Sequence, residues 1–259
     1  MIALQDRLNF YVINLDRSVE RMERFEKDFA SFPIPHVRVS AVDGKLLTVP
    51  VRDYDAFMFF MNVGREVSPG EIGCYFSHLK VFKMFLESQQ EFALICEDDA
   101  VPIPECYEAI EQAIAHSKTW DLLRLYKHRS TMIFPYQSLT STHCLATSIK
   151  DMRCTDAYIV NRRAAEVLIK KLVPMTCLYD TALFQGRLGV REATISPNCV
   201  VLNECGVSST IGYSQNKRNL KPWHFVFWSC RFFRLWIRIV RYSLQFSRII
   251  KHRFVSKKQ

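Results

Sequence analysis

The sequence has no C-x-x-C pair, no P-loop or other glycine-rich phosphate loop, and no acidic residue between Lys217 and Gln259. The first absence removes the usual spacing of zinc ribbons and thioredoxin-like redox sites. The second argues against a kinase or P-loop NTPase. The third means that the net charge of +9 is unevenly spread. Twelve of the 35 Lys and Arg lie after position 216, leaving 23 basic against 26 acidic residues in positions 1–216, a net of −3. A mildly acidic body carries a strongly basic tail, and such asymmetry points to a polyanionic partner, either nucleic acid or an anionic membrane.

The opening stretch MIALQDRLNFYVINLD has neither a basic n-region nor a long apolar h-region, so it does not read as a signal peptide. The nine cysteines are odd in number, and several sit inside apolar runs, as Cys96 does in ALICE. They read as free thiols acting as small hydrophobes in a reducing, cytoplasmic protein. What is present suits one large α/β domain with a tail: 49% hydrophobic, 13% aromatic and 24% charged residues, without internal repeats. The boundary is expected between 216 and 217.

Apolar, β-branched NFYVINL (9–15) predicts a first strand, and Val19, Met22, Phe25 and Phe29 recur at helical spacing behind it. HVRVSAVDG reads as a second strand with a turn at Asp43-Gly44, and residues 45–67 as a loop with a short helix. In SPGEIGCYFSHLKVFKMFLES, Ser68, Pro69 and Glu71 make a strong helix start, and Ile72, Phe76, Leu79, Phe82 and Phe85 or Leu86 form its apolar stripe. EFALIC is a strand, followed by a helix from about 105 to 117 and the strand WDLLRLYK. THCLATSI is a β-element, CTDAYIVN a strand, and RRAAEVLIKKL a helix that Asn161 can cap. LYDTALFQGRL looks helical and REATISPNCVVLNE extended. Alternating strands and helices imply a mainly parallel sheet covered on both faces.

At the end of the EFALIC strand stand three consecutive carboxylates, Glu97, Asp98 and Asp99, followed by a loop broken by Pro102 and Pro104. Ligands of an α/β sheet bind outside the carboxyl ends of its strands. Paired hard oxygen anions there suit Mg²⁺ or Mn²⁺ with substrate phosphates. The competing interpretation is a solvated acidic loop or a helix cap.

FYVINLDRSVERMERF, SPGEIGCYFSHLKVFKMFLE, ALICEDDAVP and CTDAYIVNRRAAEVLI occur in this order and spacing. Together they resemble glycosyltransferase family 25, the lipopolysaccharide and lipooligosaccharide sugar transferases of Gram-negative bacteria, over residues 9–212. The resemblance implies a GT-A fold, a UDP-sugar donor (most often UDP-galactose, with UDP-glucose the alternative) and inversion at the anomeric carbon. It also gives Glu97-Asp98-Asp99 the part of a D-x-D motif holding Mn²⁺ or Mg²⁺ on the diphosphate.

On that basis Asp99 is the expected metal contact. Asp98 shares the ion or binds the donor. Asn14, Asp16 and Arg17 lie where a nucleotide would rest, unless they merely cap a helix. His78, in the G-E-I-G-C-x-x-S-H block, contacts the donor or is a core histidine. Asp180 resembles the acceptor-side base of inverting galactosyltransferases, or else is a helix cap; Asp156 and Glu204 are reserves. Ser208 and Ser209 match a late Ser-Ser-x-x-Gly element that would hold the diphosphate. No third metal ligand is obvious.

The tail repeats Arg231, Arg234, Arg238, Arg241 and Arg248 on one helical face, with aromatic and aliphatic residues elsewhere. Its uncharged run Pro222–Cys230 is far shorter than the ~20 residues of a membrane span. It is expected to lie in the interface of an anionic inner membrane, on the cytoplasmic side, near a lipid-linked oligosaccharide acceptor. The alternative is a helix that closes the domain core; nucleic acid fits poorly, given so many aromatics. Two rivals to sugar transfer remain: a metal-dependent nucleotide hydrolase and a non-catalytic membrane adaptor.

Overall fold

The computed structural model of the chain describes residues 3–48, 51–127, 132–148, 154–184 and 188–203. It also describes residues 232, 233, 235–237, 239, 240, 242–244, 246, 247, 249 and 250, which are helical. In the body, ten strands and six α-helices are described. They begin with β1 (Leu8–Asn14), α1 (Val19–Asp28), β2 (His36–Ser40), α2 (Ala56–Val63), α3 (Pro69–Glu87), β3 (Phe92–Glu97), β4 (Ala100–Pro102) and α4 (Cys106–Ala115). After them come β5 (Leu122–Arg124), β6 (Ile133–Ser138), β7 (Cys144–Ser148), β8 (Ala157–Asn161), α5 (Arg162–Lys171), α6 (Tyr179–Leu183), β9 (Glu192–Ser196) and β10 (Val200–Leu202).

Eight strands form one sheet in the order β2-β1-β3-β8-β5-β9-β7-β6, and β4 pairs with β10 beside it. The sheet is mixed. β1 runs parallel to β2 and β3, and β5 parallel to β9. β8 is antiparallel to both β3 and β5, and β7 to both β6 and β9. The expected parallel arrangement therefore holds for β2-β1-β3 and for β5-β9, with β8 inserted in the opposite sense. Two strands escaped the sequence reading. β6 is half-exposed at the sheet edge and carries Pro135, so its pattern is weak. β4 lies in the stretch taken for a loop and is only three residues long.

Strand alternation feeds two cores. Phe10, Val12, Leu94 and Cys96 pack under α1 and α4, whereas Tyr11, Ile13, Ala93 and Ile95 pack under α3 and α5. Met22, Phe25 and Phe29 deliver the α1 stripe, each contributing about 1.5–3 kcal/mol of burial. Val19, expected on that stripe, is exposed. Helix α3 starts as its sequence predicts. The Ser68 hydroxyl accepts from Glu71 N at 3.3 Å, and the Glu71 carboxylate accepts from Ser68 N at 2.8 Å. Asn161 caps α5 by accepting from Ala164 N at 2.8 Å.

The G-E-I-G-C-x-x-S-H block now has a mechanical meaning. A Cβ on Gly73 would sit 2.4 Å from Val42 O, and one on Gly44 only 1.6 Å from Pro69 O. Only two glycines let the turn after β2 approach α3 so closely. Ser77 locks the contact: its hydroxyl accepts from Val42 N at 2.8 Å and donates to Gly73 O at 2.6 Å. One turn on, His78 is thereby aimed at the end of β3.

Candidate active site

The carboxyl ends of β1 and β3 meet the amino end of β8. Because β8 is antiparallel to β3, with Cys96 opposite Ala157, the residue just before β8 falls beside Glu97. That residue is Asp156, and its carbonyl accepts from Glu97 N at 2.8 Å. A parallel β8 would have carried Asp156 to the far end of the sheet. Side-chain oxygens of Glu97, Asp99 and Asp156 lie within 4.8 Å of one another.

Three acids so close repel each other. Burial, reinforced by Asp99 and Asp98, pushes the Glu97 carboxyl well above the usual carboxylate range. Burial together with Glu97 and Asp99 pushes Asp156 up to about 8. Asp99 is also raised, chiefly by burial. One oxygen of Asp99, Oδ1, is buried without any hydrogen-bond partner. An orphaned acceptor inside an all-oxygen, strained acidic cluster fits a hard divalent cation such as Mg²⁺ or Mn²⁺. The sequence points to Asp99, with Asp98 sharing the ion and Glu97 as the remaining member of the motif, and gives Asp156 as a reserve base; the cluster here is Glu97, Asp99 and Asp156.

Asp98 is held differently. It accepts from Asn14 Nδ2 at 2.7 Å and from Arg21 Nε at 2.8 Å, and Arg21 also reaches Asp99 at 3.2 Å. Asn14 is buried and fully used: it donates to Ser18 O and accepts from Arg38 at 3.0 Å. It serves as a bracket between β1, β2 and Asp98. Asp16 pairs with Arg38 at 2.7 Å and Ser40 at 2.6 Å, and lines a shallow hollow with Glu23 and Glu26 away from the acidic cluster. Arg17 pairs with Asp43, and both line a second cleft.

That cleft is lined by Glu97, Asp98, Cys74 and His78 together with the cationic Arg17, Arg21 and Lys45, and Arg21 bonds directly to Asp98. His78 is buried and stacked on Tyr179 at 4.1 Å and 6°. Its Nδ1 is 2.9 Å from the Tyr158 hydroxyl, which is 2.8 Å from that of Tyr179. Nε2 has no hydrogen-bond partner and stands 3.5 Å from Glu97 Oε1. Burial lowers the His78 pKa to about 3, so the ring is neutral.

Asp180 lies in the first turn of α6, where Leu178 is the N-cap residue; Asp180 accepts instead from the Thr181 hydroxyl at 3.1 Å. It is close enough to Cys74 for its charge, with those of Glu97 and Asp156, to add to the rise that burial causes in that thiol's pKa. Ser208, Ser209 and Glu204, and the tail arginines 231, 234, 238, 241 and 248, lie outside the described residues. Arg21, Lys45 and Cys74 were not singled out from sequence. Arg21 and Cys74 sit one turn from recognised residues, and helical spacing was the one available signal.

Carboxylates and cationic side chains thus meet in one cleft at the carboxyl ends of β1 and β3, where α/β sheets bind their ligands. The chain belongs to glycosyltransferase family 25: the family described as "Glycosyltransferase family 25 (LPS biosynthesis protein)" matches residues 7–183. It is 25% identical to procollagen galactosyltransferase 1 of Danio rerio over 187 residues, 66% of this chain and 31% of that protein. It is 36% identical to a glycosyltransferase 25 family member of Drosophila melanogaster over 95 residues, 34% and 15% of the two chains. The chain thus spans a third or less of the length of these relatives. Among solved structures, that of A197 from STIV aligns with a TM-score of 0.44 and 12% identity, covering 75% of this chain and 83% of that one.

Proposed function

We propose that the chain transfers a hexose, galactose from UDP-galactose in the first instance, to a terminal sugar of a lipopolysaccharide or lipooligosaccharide core, with inversion at the anomeric carbon and on a GT-A framework. The observation that carries this reading is the juxtaposition of the Glu97–Asp99–Asp156 cluster with a cleft that Glu97 shares with the cationic Arg17, Arg21 and Lys45. The family's description as lipopolysaccharide biosynthesis and the galactosyltransferase names of its relatives supply the substrate class.

Glu97, Asp99 and Asp156 would hold Mn²⁺ or Mg²⁺, which when bound neutralises charge on a departing diphosphate. Arg17 and Lys45 line the same space and meet the phosphates. Arg21 and Asn14 fix the Asp98 carboxylate, which faces the cleft and accepts from a donor hydroxyl. Asp180 takes the proton of the acceptor hydroxyl as its oxygen bonds to the anomeric carbon and the bond to the diphosphate breaks. Ser208 and Ser209 add donors to the diphosphate.

The tail places the enzyme on the cytoplasmic face of the inner membrane. Its described helical residues leave Phe232, Leu235, Trp236, Ile239 and Phe246 exposed while Ile237 and Ile249 are buried, an apolar display suited to a lipid interface. No helix among the described residues is long and apolar enough to cross a membrane.

The test is UDP release with Mn²⁺ and a panel of UDP-sugars, with and without truncated lipooligosaccharide. Acceptor-dependent release, lost in Asp99→Ala, is expected. Release without acceptor would make the chain a nucleotide hydrolase, no release at all an adaptor, and release unchanged in Asp99→Ala would remove the metal role.

A further inference from the structure

Helix α3 brings a thiol and an imidazole to the cleft one turn apart. Cys74 and His78 are spaced i, i+4, so both project from the same helical face. That face looks at Glu97, and Cys74 Sγ, a His78 ring nitrogen and a Glu97 oxygen lie within 4.8 Å of one another. We propose that Cys74, His78 and Glu97 form a second metal site, for a thiophilic divalent ion of the Zn²⁺ class, in the wall of the cleft.

Three observations carry it. The first is spacing. Two nitrogen or oxygen ligands bound to tetrahedral zinc at ~2.0–2.1 Å stand about 3.3 Å apart. His78 Nε2 and Glu97 Oε1 are 3.5 Å apart, too long for a hydrogen bond and close to a shared-ion distance. The second is the orphaned nitrogen. His78 is 1% exposed, and its Nε2 is buried with no partner. The third is the fixation of the ring. The 2.9 Å contact of Nδ1 with the Tyr158 hydroxyl and the stacking on Tyr179 fix the ring, and in the tautomer with the proton on Nδ1 the Nε2 lone pair is turned to the site. Metal-binding histidines are commonly oriented in this way through their second nitrogen.

The two sites differ in chemistry. Glu97, Asp99 and Asp156 offer oxygen alone and suit a hard ion; sulfur and imidazole select a softer one. All three ligands of this second site line the cleft, so the fourth position is open to water or substrate. The thiol proton passes to solvent as the S–Zn bond forms. Glu97 belongs to both sets, so an ion on the soft site withdraws a ligand from the hard one. Zn²⁺ therefore antagonises Mn²⁺- or Mg²⁺-supported transfer; this half rests on the proposed function, whereas the binding itself does not.

Co²⁺ titration of the full-length, metal-free protein tests the binding. A sulfur-to-cobalt charge-transfer band is expected, bleached by Zn²⁺, retained in Asp99→Asn and lost in Cys74→Ser, with thermal melts confirming that the variants fold. Should Cys74→Ser melt early, His78→Gln replaces it, with Co²⁺ affinity expected to fall about tenfold or more. No band in the parent protein, a band persisting in folded Cys74→Ser, or Co²⁺ affinity unchanged in His78→Gln would overturn the site. With transfer established, Zn²⁺ should lower the Mn²⁺-supported rate about tenfold and excess Mn²⁺ restore it; a rate indifferent to saturating Zn²⁺ would overturn the shared ligand. A cobalt band in a protein without transferase activity would sink the proposed function and leave this site standing.

Discussion

Removing one oxygen at Asp156 takes a ligand from the acidic cluster while its backbone bond to Glu97 stays in place. Asp156→Asn should therefore weaken Mn²⁺ binding about tenfold or more without unfolding the chain, measurable by calorimetric titration. The same carboxyl, raised to about 8 by burial and by Glu97 and Asp99, is largely protonated at neutral pH in the metal-free protein. A cation must displace that proton. Affinity for Mn²⁺ should then climb as pH rises through about 8 and flatten above it; an affinity independent of pH would contradict this. Asp180→Asn separates the base from the metal: kcat should fall by about 10²–10⁴ with UDP and Mn²⁺ binding kept. At this scale the sequence was half legible. Asp99 announced itself at a strand end, but Asp156 could not, because its place beside Glu97 depends on the sense of a strand that periodicity does not encode.

Elements carry the next set of consequences. Gly73→Ala would press a methyl against Val42 O, so α3 and the turn after β2 must part. A loss of about 1–3 kcal/mol is expected from that overpacking, seen as a lower Tm, together with weaker UDP binding as the turn that carries Lys45 shifts. Ser68→Ala should cost only about 1 kcal/mol, the value of one cap. Asp121, fully buried before β5, ties three elements together by accepting from Arg191, from Arg163 at 2.7 Å and from Asn161 at 3.0 Å. Burial opposes its ionisation, but those hydrogen bonds outweigh it and hold its pKa below the usual range. Its contribution is therefore complete above the unfolded value of about 3.9 and disappears as pH falls further. Acid titration of stability in Asp121→Asn should show a flatter limb than the parent. Helix starts were readable because caps are local; the mixed sheet was not, because strand sense is set by partners far away in sequence.

For the molecule as a whole, the separation of a −3 body from a basic, aromatic tail predicts separable behaviour. Deleting residues 223–259 should leave turnover of short soluble acceptors and abolish binding to anionic liposomes; aggregation of the shortened chain would instead assign the tail to the core. Liposome binding by the full chain should weaken with salt, since arginine–headgroup attraction is screened over about 8 Å at physiological ionic strength. The antiparallel pairing of β8 with β3 has one more consequence. Side chains along a strand change faces at every step, so strand alignment here doubles as a choice of ligands. A single residue inserted between Asp156 and Ala157 would leave both greasy layers filled and every acid present. It would nonetheless turn one carboxylate outward and disarm the catalyst by a slip of one position.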